Sequence, residues 1–211
     1  MTVRLIAYTQ RVDEPIKGNI SDFIAYVARV SNPSNQNNTK TSSKLVNYLQ
    51  KNKHWSPFEM ASIVMEIKTT RDIAHQILRH RSFSFQEFSQ RYAKATSFTL
   101  REPRLQDETN RQNSIETDDK ALFQEWFKKQ QEVINLAKET YEWALNAGIA
   151  KEVARAVLPE GNTETTIYMS GTIRSWIHYC DVRCEPGVQK EHREIALECK
   201  SILEGIFKNE L

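Results

Sequence analysis

At 211 residues the chain suits one domain, 1–211, with room for a proper core. Hydrophobic residues at 39% and charged residues at 27% are ordinary for a soluble globular protein. A net charge of +2 sets aside bulk nucleic-acid binding, and no apolar run is long enough to span a membrane. Three cysteines, Cys180, Cys184 and Cys199, are an odd number late in the chain, which argues against a disulfide framework and for a reducing compartment. Met1 to Gln10 lacks the regions of a secretory signal, so the expected location is the cytoplasm.

Val3 to Thr9 reads as a strand with Val3, Leu5 and Ala7 on one face. Ser21 is placed to cap a helix through about Ser31, with Phe23, Ile24, Val27 and Ala28 as its apolar face. Asn32 to Thr41 is an Asn- and Ser-rich loop, and Ser42 or Ser43 starts a helix carrying Leu45, Val46 and Leu49. In His54-Trp55-Ser56-Pro57-Phe58-Glu59 the proline moves Ser56 away from helical geometry, so His54 and Ser56 sit on a turn. Ala61 to Thr69 alternates as a strand, with Ile63, Met65 and Ile67 together.

Thr70 then caps a helix whose stripe is Ile73, Ile77 and Leu78, and Gln76, Arg79 and His80 share a face at i, i+3 and i+4. After Arg81 serine and phenylalanine alternate, as in an extended segment with one buried face. The plain reading of Arg79, His80 and Arg81 is a cationic helix end favoured by the macrodipole, worth roughly 0.3–1 kcal/mol each. That leaves Glu87, Ser89 and Arg91 unexplained, because alternate positions share one face of an extended chain. Arginines grouped with one carboxylate suit an anion site.

Phe98 to Leu100 reads as a further strand, and Arg101 to Thr117 as a polar surface loop. Asp118 starts the longest helix, to about Ala147, with an apolar stripe that includes Leu122, Phe123, Trp126, Val133, Ile134 and Tyr141; the stripe reads as core, and Gly148 ends the helix. Lys151 to Leu158 is a short helix stopped by Pro159 and bearing Arg155. Asn162 to Ser170 alternates as a strand, with Thr163, Thr165, Ile167 and Met169 on one face. Gly171 to Arg183 is a helix with Ile173, Trp176, Ile177 and Cys180 inward and Arg174, His178 and Arg183 as functional candidates. The last helix runs from Val188 to about Phe207. The class is α+β, a single domain with few strands and many helices.

Arg79, His80, Arg81, Ser84, Gln86, Glu87, Ser89, Arg91 and Tyr92 stand in the register of the signature of the flavin-dependent thymidylate synthases, the ThyX family, which the chain resembles. The segment His54 to Glu59, the Ala154-Arg155-Ala156-Val157-Leu158-Pro159 run, Arg174-Ser175 with Arg183, and the Gln189, Glu191, Arg193 run are also similar to it. The resemblance implies a small, mostly antiparallel sheet packed with helices. It implies reductive methylation of dUMP to dTMP, with methylene-tetrahydrofolate giving the carbon, NADPH the electrons and FAD relaying the hydride. By the motif match Gln76, Arg79, Glu87, Ser89, Arg91, Arg155 and Arg183 line the dUMP site. His54, Ser56, Arg79, His80, Arg81, Glu87, Thr172, Ile173, Arg174 and His178 hold FAD at a subunit interface of a homotetramer. The chain departs from the family at Met60, where many members have a histidine, and at Thr172, where Asn is common.

The residue types suit these demands. A nucleotide monophosphate is a dianion that arginine binds through bidentate hydrogen bonds. The six glycines form no Gly-x-Gly-x-x-Gly run, so a dinucleotide fold is not expected. Classical thymidylate synthases add a cysteine to the uracil ring, and none of these cysteines lies in such a motif. Without a thiol, a guanidinium aimed at the ring's developing charge would activate it, and by resemblance Arg183 takes this catalytic role. Three rivals stand beside this reading. One is a nucleotide- or RNA-binding module that stacks bases on Phe83, Phe85 and Phe88. Another is a metal set of His178, Cys180, Cys184 and His192, though that spacing fits no usual zinc pattern and no metal is expected. The third keeps the fold without the activity.

Overall fold

The computed structural model describes residues 1–13 and 19–207. Among them six strands form: β1 (Thr2–Tyr8), β2 (Ser62–Thr70), β3 (Ser84–Glu87), β4 (Arg104–Gln106), β5 (Ser114–Glu116) and β6 (Glu164–Thr172). A four-stranded sheet has the order β1-β2-β6-β3 with every neighbour antiparallel, and β4 and β5 make a separate ribbon. The period of two decides which side is core. Ile63, Met65 and Ile67 of β2 and Ile167 and Met169 of β6 are all fully buried on one face. Met65 lies opposite Met169, and Ile67 opposite Ile167.

The helices are α1 (Ile20–Ala28), α2 (Ser42–Lys51), α3 (Arg71–Ile77), α4 (Lys120–Asn146), α5 (Lys151–Ala154), α6 (Ile173–Arg183) and α7 (Lys190–Ile206), and all but α4 and α5 contribute to the core that covers that face. Ile24, Val46, Phe58, Trp176, Ile195 and Leu203 close one continuous core beneath the sheet. Trp176 satisfies its buried indole N–H by donating to the Ile63 carbonyl at 3.2 Å. Gly171 near the end of β6 makes room for the Phe83 ring, since a Cβ there would stand 2.4 Å from Phe83 Cδ1. That ring is held by Trp176 at 4.9 Å between centroids and cannot easily move aside. A smaller cluster of Tyr141, Ala144 and Ala154 ties the end of α4 to α5. Among the described residues no helix is long and apolar enough to cross a membrane.

Four local expectations are corrected. Asn19, not Ser21, caps α1: its side chain accepts from Asp22 N and Asp22 reciprocates, while Ser21 lies buried in the first turn. The helix after Thr70 stops at Ile77, so Arg79 and His80 lie beyond it on a turn and not on the face of Gln76. The polar stretch 101–117 contains the β4–β5 ribbon and sets two mostly covered arginines against the buried Glu191. The front half of the α4 stripe is not core of this chain: Leu122, Phe123, Trp126 and Val133 are exposed, and the buried contact there is polar, from Gln130 to Arg101 and Asn162.

Candidate functional site

The turn after α3 folds back on itself, with His80 N donating to the Ile77 carbonyl at 3.0 Å. This swings the His80 ring inward until it meets Tyr179 edge-on, 5.0 Å between centroids. Arg183 sits in the last turn of α6, where the helix dipole favours a cation. Its Nε donates to His80 Nε2 at 2.9 Å. Burial, then the charge of Arg183 and His178, lowers His80 to about 4. His80 is therefore neutral near pH 7, an acceptor toward Arg183 and not a second cation against it. Among the described residues this bond commits only Nε, leaving both terminal nitrogens of the guanidinium to a ligand.

Gln76 lies on α3 beside this pair. Its Nε2 donates to Gln189 Oε1 at 2.7 Å, and its Oε1 is 3.2 Å from His192 Nδ1. His192 is fully buried and reaches Tyr179 through Nε2 at 3.1 Å. Gln189 Nε2 donates to Glu191 Oε2 at 3.0 Å. Glu191 in turn takes Arg104 at 2.7 Å as a hydrogen-bonded pair, and Arg101 at 3.1 Å as an ion pair without hydrogen-bond alignment. Burial opposes its ionised form, yet the Arg104 bond and the two guanidinium charges outweigh that and hold Glu191 below the usual carboxylate range.

A second region lies around the start of α6. An open cleft of about 420 Å³ is lined by Trp55, Glu59, Ser82, Arg174 and His178, among others. Glu59 orders it: Thr172 donates to it at 2.7 Å and Arg174 at 2.8 Å, and its carboxyl stays below the usual range chiefly through the Thr172 bond. Thr172 also caps α6 by accepting from Ser175 N at 3.3 Å. Ile173 is fully buried with its N–H given to the Ala61 carbonyl, so it contributes a wall and not a polar contact. The donor set suits a large anionic, partly aromatic group such as FAD. Arg174 and His178 offer cationic or N–H contacts to phosphate, Ser82 offers a hydroxyl, and Trp55 and Ile177 offer apolar surface to a ring. Ser56 opens the short 3-10 turn Ser56–Met60 with Pro57, so the proline starts a turn of helix here and does not exclude one. His54 stands exposed at the end of α2, edge-on to Tyr48 at 6.0 Å.

The remaining candidates form a third region. Glu87 ends β3, takes Arg71 at 3.0 Å and Thr165 at 2.9 Å, and lies opposite Ile167. From there to Thr172 is five residues along β6, roughly 17 Å at strand rise. Ser89 and Arg91 do not continue the strand: the Ser89 carbonyl accepts from Tyr92 N and Ala93 N, so they sit on a turn. That turn points Arg91 at Glu152 of α5, 3.0 Å away. Glu152 and Arg155 are three residues apart on a helical path, so Arg91 and Arg155 come onto one face from 64 positions apart in sequence. Arg79 and Arg81 are exposed and make no ion pair among the described residues.

Two of the rivals lose ground on this geometry. Phe83 is buried and Phe85 half-buried, which leaves Phe88 alone exposed and no platform of three rings. His178 faces solvent while Cys180 and His192 are buried, and no group of three metal-ligating side chains gathers among the described residues. Glu59 lies inside the His54 to Glu59 segment, which was the available signal, while its pairing with Arg174, 115 positions away, is a tertiary contact. Arg101 and Arg104 gave none, because their partner Glu191 is about ninety positions away in a different element.

The chain matches a protein family described as thymidylate synthase complementing protein over residues 4–207. It is 50% identical over 206 residues to a probable flavin-dependent thymidylate synthase of Paramecium bursaria Chlorella virus 1, covering 96% of this chain and 93% of the relative. It is 49% identical over 207 residues to a flavin-dependent thymidylate synthase of Synechocystis, covering 96% and 94%. A crystal structure of a UMP/dUMP methylase from Streptomyces cacaoi, bound with 5-Br dUMP, superposes with a TM-score of 0.82 at 23% identity, over 99% of this chain and 93% of that one, and shares its fold.

Proposed function

The chain belongs to the flavin-dependent thymidylate synthase family, and on that premise we propose that it methylates dUMP to dTMP without a cysteine nucleophile. Methylene-tetrahydrofolate is the carbon donor and NADPH the reductant. FAD, when bound, supplies the hydride acceptor and donor that couples the two. The residues fitted to hold it are those of the cleft at the start of α6, Ser82, Arg174 and His178, with His54 and Ser56 from the neighbouring turn and Arg79 and Arg81 from the exposed one.

The observation that carries the reading is Arg183, held through Nε by a neutral His80 beside Gln76. The uracil ring gains nucleophilic character at C5 when negative charge on the imide is stabilised. A guanidinium cannot lose its proton near neutral pH, so Arg183 acts purely as an electrostatic stabiliser there. His80 contributes by fixing the plane of that guanidinium. Were it protonated it would present an N–H and a like charge to Arg183, and its lowered pKa prevents this. The thiols support the same conclusion. Cys180 and Cys199 are buried and Cys184 half-buried, and burial pushes all three thiols above their ordinary pKa, the opposite of an activated nucleophile.

The phosphate is assigned to Arg91 and Arg155, with Ser89 and Arg79 beside them. The separation of this region from the α6 cleft along β6 supports a site that draws on more than one subunit, and the resemblance to the family makes that assembly a homotetramer. The test is release of label from dUMP tritiated at C5, with FAD, NADPH and methylene-tetrahydrofolate present. Release that requires every component is the expected result. No release from folded, FAD-loaded protein would overturn the reaction assigned here.

A further inference from the structure

The polar seam behind Gln76 runs from the exposed Gln189 to the buried His192, and it has a direction. Glu191 is ionised and paired with two arginines, so both of its oxygens can only accept. Gln189 must therefore turn its NH₂ toward Glu191 and its carbonyl toward Gln76. That carbonyl needs a donor, so Gln76 presents Nε2 to it and is left with Oε1 toward His192. His192 must then carry its proton on Nδ1, and its Nε2 accepts from the Tyr179 hydroxyl. Each amide orientation and the imidazole tautomer follow from one carboxylate, because any single reversal sets two acceptors or two donors face to face. Burial, with the charge of Arg183 and the presence of His80, lowers His192 to about 3, so it stays a one-proton relay.

We propose that His192 is a positioning residue: through its Nδ1–H, and with Gln189 on the other side, it locks the Gln76 carboxamide so that its second N–H is offered to the bound nucleotide. This rests on the reading of Gln76 as part of the dUMP site. Among the described residues that second N–H has no acceptor, while Oε1 is already engaged by His192. A freely rotating carboxamide would show a ligand either a donor or an acceptor. The locked one discriminates, and a site committed to donate penalises a ligand that lacks the matching acceptor. Both ends of the lock lie on α7 or its cap, although neither Gln189 nor His192 need touch the ligand.

Two substitutions separate this from simple packing. His192→Asn is smaller but can place an amide N–H where Nδ1–H stands, and His192→Phe fills the volume but cannot donate. On FAD-loaded protein, titration calorimetry with dUMP is expected to show about a tenfold weaker Kd for His192→Phe and less than about a threefold change for His192→Asn, the size of one lost hydrogen bond. Flavin content should be unchanged in both. Equal affinities in the two variants, or a better binder in His192→Phe, would overturn the lock, since packing favours the ring. Nitrogen-15 spectra of the wild-type imidazole, taken without nucleotide, are a second reading that needs no variant to fold. A protonated Nδ1 with a bare Nε2 supports the seam, and a protonated Nε2 overturns it. Wild-type protein that shows this tautomer yet binds no dUMP would instead remove the nucleotide reading and leave the seam standing.

Discussion

The interior seam and the surface arginines use the same residue types to opposite ends. Arg101 and Arg104 are mostly covered, committed to the buried Glu191 and further tied to Asp72 and Glu102. Arg79, Arg81 and Arg155 carry the same charge at the surface or half-buried, with no ion pair among the described residues, and Arg91 has only the exposed Glu152. Inside, removing one partner strands a charge out of water. Outside, a cation rests at little cost until an anion arrives. Arg183 stands between these limits, with Nε committed and both terminal nitrogens open. Charge that shapes the protein is paired with a buried carboxylate, and charge assigned to a ligand is left unpaired or holds a carboxylate that is not buried, as Arg91 and Arg174 do.

The largest effect is expected at the residue that straddles the two regions. Arg183→Ala should lower turnover by about a thousandfold or more, the scale for losing one preorganised electrostatic stabiliser, with flavin still bound. Single-turnover kinetics checks it, and near-normal turnover would remove Arg183 from the chemistry. On the interior side, Glu191→Ala should destabilise the fold by about 1.5–3 kcal/mol in urea unfolding, because it removes the charge-assisted bond to Arg104 and leaves Arg101 with Asp72 and Arg104 with Glu102 alone. A loss under about 1 kcal/mol would mean the seam behaves like surface charge. On the exterior side, Arg155→Ala should raise the KM for dUMP roughly ten- to a hundredfold, the worth of about 1.5–3 kcal/mol in a charge-assisted bond, with stability unchanged. An unfolding shift without a KM change would reverse the comparison there. The smallest effect belongs to Lys53, which closes α2 at a φ of 58° with Lys53 N on the Gln50 carbonyl and His54 N on the Leu49 carbonyl. Glycine takes that conformation without a Cβ penalty, so Lys53→Gly should stabilise by about 0.5–1 kcal/mol in thermal unfolding and leave kinetics alone. A loss of stability would mean that the Lys53 side chain itself supports the turn to His54.

Much of this was legible beforehand. The alternation of Ile63, Met65 and Ile67 and of Thr163, Thr165, Ile167 and Met169 named the two central strands and their buried face, because a period of two leaves no choice of side. Ile173, Trp176, Ile177 and Cys180 named the inward face of α6 in the same way. The spacing of Ser89 and Arg91 suits an extended chain, but a turn follows there, since spacing of two does not separate a strand from a turn with the same residues. The α4 stripe is a second case, because spacing says which residues share a face but not what that face meets.

The sequence by itself determined the family, the α+β class, the core strands and the residue types of the site. These are written in local periodicity and in a short motif whose residues keep a register along the chain. Tertiary structure alone decided how those residues are used. It brought Arg91 to Glu152, three residues from Arg155, set His80 against Arg183, and set Gln76 between His192 and a Gln189 that leads to a carboxylate held by two arginines from a polar stretch. Each of those pairings depends on where a turn ends and which way a side chain faces. That is settled by the cost of leaving a buried polar group unpaired, and no pattern of spacing encodes it.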